Sequence, residues 1–290
     1  MATSRILLDV GGTYIKCSDG RQVPVPSGGT AGSIADALKE AIFVSEGPVE
    51  VGVAIPGPFD FCKGIFLMKH KFASVYGMSF CELTGLPVGS ARFIHDVNAV
   101  LEGSITMLGL QERNVALVTI GTGLGFSYSV KGKVQCGPML SPSRSLYNLP
   151  YGDGILEDVV SARGIIDAYA RRSGVGAESA YDVAKRACSG DIEAQEVYNG
   201  VGEALADVLP DILDELGIDM LLMAGQIAKS MNLMDRPIRK ALEGIPVERA
   251  PEGAVFKGIE SLFAPAPTGS WPSYLLRRSG RNSRHNASMK

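Results

Sequence analysis

A chain of 290 residues in which 46% are apolar and 20% charged can bury a large core, and its length suits two lobes of ordinary domain size. The formal net charge of −3 argues against a nucleic-acid footprint over the body of the protein, and no apolar run approaches the roughly 18 residues that a membrane span needs. Five cysteines (Cys17, Cys62, Cys81, Cys136 and Cys188) without a C-x-x-C pair indicate neither a disulfide framework nor a zinc site. The first strand is reached within five residues, so no signal peptide is expected and a cytoplasmic location is.

The apolar run Ile6 to Leu8 reads as a buried strand, and it meets Asp9, Gly11, Gly12 and Thr13. Glycines there allow φ > 0 and a close backbone approach, so the free N–H groups of the turn form an anion-binding concavity to which Thr13 adds a hydroxyl. Asp9, at the strand end, is placed to hold a metal or a metal-bound water. The plainer alternative is a β-hairpin whose turn needs glycine, with Ile15 to Ser18 as its return strand. Ser33 is a candidate cap for a helix through Ile34, Ala37, Leu38, Ala41 and Ile42, stopped by Gly47-Pro48. Glu50 to Ile55 is a strand ending in Pro56-Gly57-Pro58, and strand, helix and strand together suggest a mixed sheet covered by helices. Lys69 to Lys71 reads as a solvated basic cluster and Thr84 to Val88 as a loop.

Ala91 to Ile94 is a short strand, followed by His95-Asp96-Val97-Asn98 and a helix from Ala99 to Leu108, for which Asp96 or Asn98 is the candidate N-cap. Val115 to Ile120 then runs into Gly121-Thr122-Gly123-Leu124-Gly125, with a return strand to Val130. This echoes the first hairpin roughly 110 residues later, and two such glycine hairpins suggest two similar halves that each point a turn at a ligand. Neither segment carries the Walker pattern, and Gly121-Thr122-Gly123 lacks the third glycine of G-x-G-x-x-G. Further on, a helix takes in Ile155, Leu156, Val159, Val160, Ile165, Ile166 and Tyr169 and ends at Arg171-Arg172-Ser173-Gly174. Glu157 reads as either a functional carboxylate or a solvated residue near that helix's N-terminus. A short helix around Tyr181 to Ala187 precedes a long one from Ile192 to Leu216, with a kink or break expected near Pro210. Gly217 to Met223 is a strand reaching Ala224-Gly225-Gln226. Ser230 or Asn232 is the candidate cap of the next helix, and Gly253 to Phe263 forms a closing helix. The stretch from Ala264 to Lys290 carries Arg277, Arg278, Arg281, Arg284 and Lys290 with no acid after position 270. It reads as a terminal extension outside the fold, or else as an electrostatic arm for an acidic partner.

Asp9-Val10-Gly11-Gly12-Thr13 together with Ile120-Gly121-Thr122-Gly123-Leu124-Gly125 resembles the two phosphate loops of the actin-like ATPase superfamily, and within it the ROK (repressor, open reading frame, kinase) family of sugar kinases. Gly52 to Pro58, His95-Asp96-Val97-Asn98-Ala99 and Leu221-Leu222-Met223-Ala224-Gly225 agree in the family's order, so the resemblance spans roughly residues 5 to 264. It implies a two-lobe α/β fold of the actin-like (ribonuclease H-like) type, each lobe a mixed sheet flanked by helices. The expected lobes are 1–112 and 113–264, with 265–290 a basic tail. It implies ATP and Mg²⁺ held by Asp9, Gly11, Gly12, Thr13, Lys16, Gly121, Thr122, Gly123 and Gly225, the metal at Asp9, directly or through water. Pro56, Gly57, Asn98 and Glu157 are the implied sugar contacts and Asp96 the implied catalytic base.

The family's zinc-binding members place Gly-Glu-x-Gly-His where this chain reads Cys136 to Arg144, and no histidine lies between His95 and His285, so no zinc is expected. The pocket is then open to rebuilding around Arg144, Tyr147, Asn148 or Tyr151. The resemblance implies phosphorylation of the 6-hydroxyl of glucose, a related hexose or an N-acetylhexosamine by a homodimer with no nucleic-acid or membrane partner. Two alternatives stand beside it. One is a sugar-binding sensor of the same fold without catalysis, which an intact Asp96 disfavours; the other is a kinase using polyphosphate, since only Gly225 stands where the family has a Gly-Gly pair. A repressor is disfavoured because the first strand begins at once.

Overall fold

The computed structural model describes residues 4–42 and 49–264. The expected Gly47-Pro48 stop and the basic stretch from Pro265 to Lys290 lie outside the described residues. The chain opens with β1 (Ser4–Val10), β2 (Tyr14–Cys17) and β3 (Gln22–Pro24), an antiparallel meander. Helix α1 (Ala31–Ile42) follows and buries Ile34, Ala37, Leu38 and Ala41. Its start differs from the expectation: Thr30 Oγ1 accepts the Ser33 N–H at 3.2 Å, so Thr30 precedes the helix as its cap and Ser33 lies inside it. β4 (Val49–Ile55) then runs parallel to β1. A small hairpin of β5 (Phe59–Asp60) and β6 (Ile65–Phe66) leads to α2 (Phe80–Thr84). Ser79 and Glu82 close a capping box at the start of α2, a signal present in the sequence as S-x-x-E. β7 (Ala91–His95) pairs in parallel with β4.

Helix α3 (Asp96–Leu108) begins directly at the end of β7, with His95 as its N-cap. Asp96 is therefore the first helical residue, three earlier than the sequence suggests, and neither Asp96 nor Asn98 is the cap. β8 (Val115–Ile120), β9 (Leu124–Val130) and β10 (Lys133–Val134) form a second antiparallel meander. β11 (Pro150–Tyr151) and β12 (Gly154–Ile155) make a short hairpin, and Leu156–Asp158 a single 3₁₀ turn. The expected helix from Ile155 thus starts later, as α4 (Ala162–Ser173), because Ser161 Oγ accepts the Gly164 N–H and fixes the first turn there. After α5 (Ala180–Cys188), α6 (Ile192–Glu215) runs unbroken past Pro210. A proline removes one backbone hydrogen bond, and burial of Leu205, Leu209 and Leu213 on one side of α6 keeps the helix continuous across it.

β13 (Met220–Ala224) lies parallel to β8. Ile227–Leu233 then forms 3₁₀ turns, and α7 (Asp235–Ala241) starts without a side-chain cap, so Ser230 and Asn232 do not cap it. β14 (Val247–Arg249) pairs in parallel with β13, and α8 (Ala254–Ser261) follows.

The two five-stranded sheets have the same plan. One has the order β3-β2-β1-β4-β7 and the other β10-β9-β8-β13-β14, each an antiparallel meander continued by two parallel strands, so the fold is the expected pair of mixed sheets flanked by helices. Helix α3 joins them. One side packs Val97, Leu101 and Ile105 against Val115, Leu117, Met220 and Leu222 of the second sheet. The other side meets α8, whose Ile259 packs with Ala99 of α3 and with Leu7 and Ala54 of the first sheet. Arg5 and Arg92 lie 4.2 and 4.7 Å from the centroid of the Phe263 ring, which fastens the end of α8 to that sheet.

Candidate active site

The two glycine turns occupy equivalent places, at the β1–β2 and β8–β9 ends. Gly11, Gly12, Gly121 and Gly123 all avoid positive φ, so left-handed backbone does not require glycine there; room does at Gly11 and Gly123, whereas a Cβ on Gly121 would have nothing within 4 Å and one on Gly12 only ordinary contacts. The Gly11 N–H donates to Tyr14 O at 2.9 Å, and a Cβ on Gly11 would sit 3.1 Å from that oxygen. Thr13 and Thr122 stand exposed at the two tips.

Cross-strand pairing puts Lys16 opposite Asp9, with Nζ 3.3 Å from Asp9 Oδ2. Burial lifts the Asp9 carboxyl above its usual value, the Lys16 ammonium opposes the rise, and the Asp96 charge adds to it. A buried carboxylate whose ionisation a second carboxylate disfavours suits a divalent cation, which would relieve both the desolvation and the repulsion. Among the described residues no group of three or more His, Cys, Asp or Glu side chains could hold a metal ion; a metal at Asp9 would complete its shell with water and phosphate oxygens, as Mg²⁺ does.

Asp96 sits at the N-terminal end of α3, where the helix dipole favours negative charge. Its Oδ1 accepts the Val97 N–H at 2.8 Å and lies 2.8 Å from His95 Nδ1, and among the described residues no donor engages Oδ2. The side chain is 37% exposed, open enough to meet a ligand. Burial acts to raise the Asp96 carboxyl, but the His95 imidazole, the hydrogen bonds from His95 and Val97 and the charge of Lys71 together hold it below the usual carboxylate range. His95 is the residue that sequence reasoning assigned no role. Its ring packs 5.5 Å from that of Phe61, and its Nε2 would be 3.3 Å from a Cβ on Gly57, which brings the Pro56-Gly57 turn alongside Asp96.

Other expected contacts fall elsewhere. Asn98 is 1% exposed; its Oδ1 accepts from Ser127 Oγ at 2.7 Å and its Nδ2 donates to Cys136 Sγ at 3.5 Å. Glu157 lies in the 3₁₀ turn before α4, and its Oε2 accepts the Leu124 N–H at 2.8 Å. Gly225 has φ of 92°, and a Cβ there would meet Ile120 O at 2.2 Å, so this glycine lets β13 pack against the base of the second turn. In the Lys69–Lys71 cluster Lys69 and His70 are exposed, whereas Lys71 is half-buried.

A Cβ on Gly123 would lie 2.6 Å from Glu157 Oε2. Gly123→Ala should therefore break the Leu124 N–H bond and weaken binding of a non-hydrolysable ATP analogue about tenfold, as expected when a hydrogen bond to a charged group is lost. Titration calorimetry in wild-type and Glu157→Ala backgrounds checks this, because a clash with Glu157 predicts a much smaller loss in the second.

Doubled meander sheets, matched glycine turns and a carboxylate at the head of the joining helix make up an α/β architecture that the chain shares with solved sugar kinases. No family model matches the chain. The N-acetylmannosamine kinase of Yersinia pseudotuberculosis is 26% identical over 275 residues, covering 84% of this chain and 92% of that protein. A ROK family glucokinase from Streptomyces griseus, solved with glucose and AMPPNP, superposes with a TM-score of 0.71 at 21% identity, over 89% of this chain and 98% of its own. A ROK hexokinase from Thermus thermophilus superposes with a TM-score of 0.66 at 20% identity, over 89% of this chain and 96% of its own. These two structural neighbours and this curated relative are thus sugar kinases.

Proposed function

We propose that the protein is an ATP- and Mg²⁺-dependent sugar kinase that phosphorylates the 6-hydroxyl of a hexose or N-acetylhexosamine. The observation that carries this reading is Asp96: one carboxylate oxygen is held by the Val97 N–H and His95, among the described residues no donor engages the other, and its charge reaches Asp9. A sugar hydroxyl is a poor nucleophile, and a fixed carboxylate that accepts its proton is what phosphoryl transfer to it needs. The sugar oxygen would bond to the γ-phosphorus as the bond to the β–γ bridging oxygen breaks, and the hydroxyl proton would pass to Asp96 Oδ2. The exposed turns at Gly11-Gly12-Thr13 and Gly121-Thr122-Gly123 are suited to phosphates by their N–H groups and hydroxyls. Asp9 would hold Mg²⁺, which when bound neutralises phosphate charge. Pro56, Gly57 and Glu157 through Oε1 are the groups left for sugar hydroxyls, while the buried Asn98 would act from behind them. Measuring ADP release with ATP·Mg²⁺ against glucose, mannose, N-acetylglucosamine and N-acetylmannosamine tests this. Sugar-dependent release with at least one of them is expected, and binding of a sugar without any release contradicts it.

The pH profile follows from the geometry. A base acts only as the carboxylate, and Asp96 is held below the usual range, so kcat/KM should stay on its plateau down to acid pH and fall only beneath that range. His95→Phe keeps an aromatic ring against Phe61 but removes the imidazole. Burial then acts with less opposition, and the acid limb of kcat/KM should move to higher pH; an unmoved limb contradicts the pairing.

A further inference from the structure

Among the described residues, Lys71 is a cation with no counterion of its own. Its ammonium and the two carbons behind it lie over Gly12, with Cδ, Cε and Nζ at 3.6, 3.6 and 3.7 Å from where a Cβ on Gly12 would be. Among the described residues no carboxylate comes within the 4.0 Å of an ion pair with it, although its charge reaches Asp96. A half-buried ammonium forgoes part of its hydration, and an arrangement that leaves it unpaired suits an anion supplied from outside.

The backbone is built to keep it there. Phe72, next in the chain, is fully buried and sits at φ 54°, a left-handed conformation that is strained for a bulky residue and persists only when its surroundings enforce it. The Phe72 N–H donates to Ser27 O at 2.7 Å, and Ser27 Oγ donates to Gly12 O at 2.5 Å. Ser74 Oγ donates to Gly29 O at 2.7 Å. Residues 71–74 are thus latched to residues 27–29, and these in turn to the first glycine turn. Met68 and Phe72 bury their side chains on either side of the cluster, which leaves Lys71 directed over Gly12 while Lys69 and His70 face solvent.

We infer that Lys71 is the side-chain cation of the phosphoryl site, contacting the transferring phosphate between the first glycine turn and Asp96. The inference rests on the kinase reading for its substrate but not for its geometry. As the sugar oxygen approaches and the β–γ bond lengthens, the equatorial phosphate oxygens carry the charge, and a fixed ammonium beside them stabilises it without reorganisation.

Four single variants of the intact chain, Lys71→Met, Lys71→Arg, Asp96→Asn and the surface control Lys69→Met, are compared for sugar-dependent turnover and for binding of inorganic tripolyphosphate by calorimetry. Lys71→Met should lower kcat about 10²-fold, the usual loss of one preorganised charge-stabilising group, with sugar KM within about twofold. It should also weaken tripolyphosphate about tenfold, the worth of one charge-assisted hydrogen bond. Lys71→Arg should recover much of the binding, which a mere loss of fold could not mimic. Asp96→Asn should lose turnover yet bind tripolyphosphate at least as well as wild type, since a negative charge has been removed. Wild-type turnover and binding in Lys71→Met, as in Lys69→Met, would overturn the assignment, as would a wild-type protein that binds no tripolyphosphate. Should no sugar support turnover, the kinase reading fails by itself, and the tripolyphosphate arm still decides Lys71 alone.

Discussion

Replacing Asp96 with Asn should cut sugar-dependent turnover about 10²- to 10⁴-fold, the usual worth of a general base, while leaving the fold and its melting temperature close to wild type. The substitution keeps volume and shape, and an amide oxygen at Oδ1 still accepts the Val97 N–H that begins α3. What it removes is the free basic oxygen at Oδ2. The loss should fall on kcat and kcat/KM alike, with sugar affinity nearly unchanged, because the proton is taken up only as the transition state forms. A variant retaining more than a tenth of the activity would take the role of base away from Asp96.

The largest effect on stability should come from Gly103→Ala. Helix α3 and helix α8 cross through small residues: a Cβ on Gly103 would lie 1.8 Å from Ala254 O, and one on Gly258 1.9 Å from Ala99 O. Helix propensity alone predicts that Gly→Ala stabilises a helix interior by about 1 kcal/mol. Here the obstacle is backbone, which no rotamer change can clear, so the two helices must separate. That opens the seam of Leu7, Ala54, Ala99 and Ile259, and overpacking of this kind costs about 3 kcal/mol or more, or roughly 6–12 °C in Tm for a chain of this size. Gly200→Ala on α6 is the matched control, since nothing lies within 4 Å of its added methyl, and it should be neutral or slightly stabilising. Because α3 also carries Asp96, Gly103→Ala should lose activity in the fraction that remains folded. Equal melting temperatures for the two variants would contradict the close crossing.

Much of this was legible in the chain. Two apolar strands running into Asp9-Val10-Gly11-Gly12-Thr13 and Ile120-Gly121-Thr122-Gly123 mark equivalent turns, and the two sheets do share one strand plan. The reason for glycine at Gly11 and Gly123 was not legible, because a close approach and a positive φ leave the same residue in the sequence. His95 was given no role for a related reason: a histidine beside an aspartate is common, and only the turn into α3 sets its Nδ1 2.8 Å from Asp96 Oδ1. The start of α4 was misread because Ile155, Leu156, Val159 and Val160 fit a helical period, whereas the decisive group is the Ser161 hydroxyl that captures the Gly164 N–H. The Ser79–Glu82 capping box was readable and passed over. The return of α8 to the first sheet depends on contacts between residues some 250 positions apart, such as Leu7 with Ile259, and no local pattern carries that. Lys71 belongs with these: its neighbours Lys69 and His70 are exposed, so the cluster looks like solvated surface until Gly12 is brought beneath it.

The most direct test of the central claim is to identify the product. Wild-type protein and Asp96→Asn would each be incubated with ATP·Mg²⁺ and the panel of hexoses and N-acetylhexosamines, and phosphorus NMR used to look for a new sugar phosphomonoester. The account predicts a 6-phosphate resonance that grows with ADP in the wild type and is nearly absent in the variant. ADP appearing without any sugar phosphate, or the same phosphoester formed equally by both proteins, would contradict it.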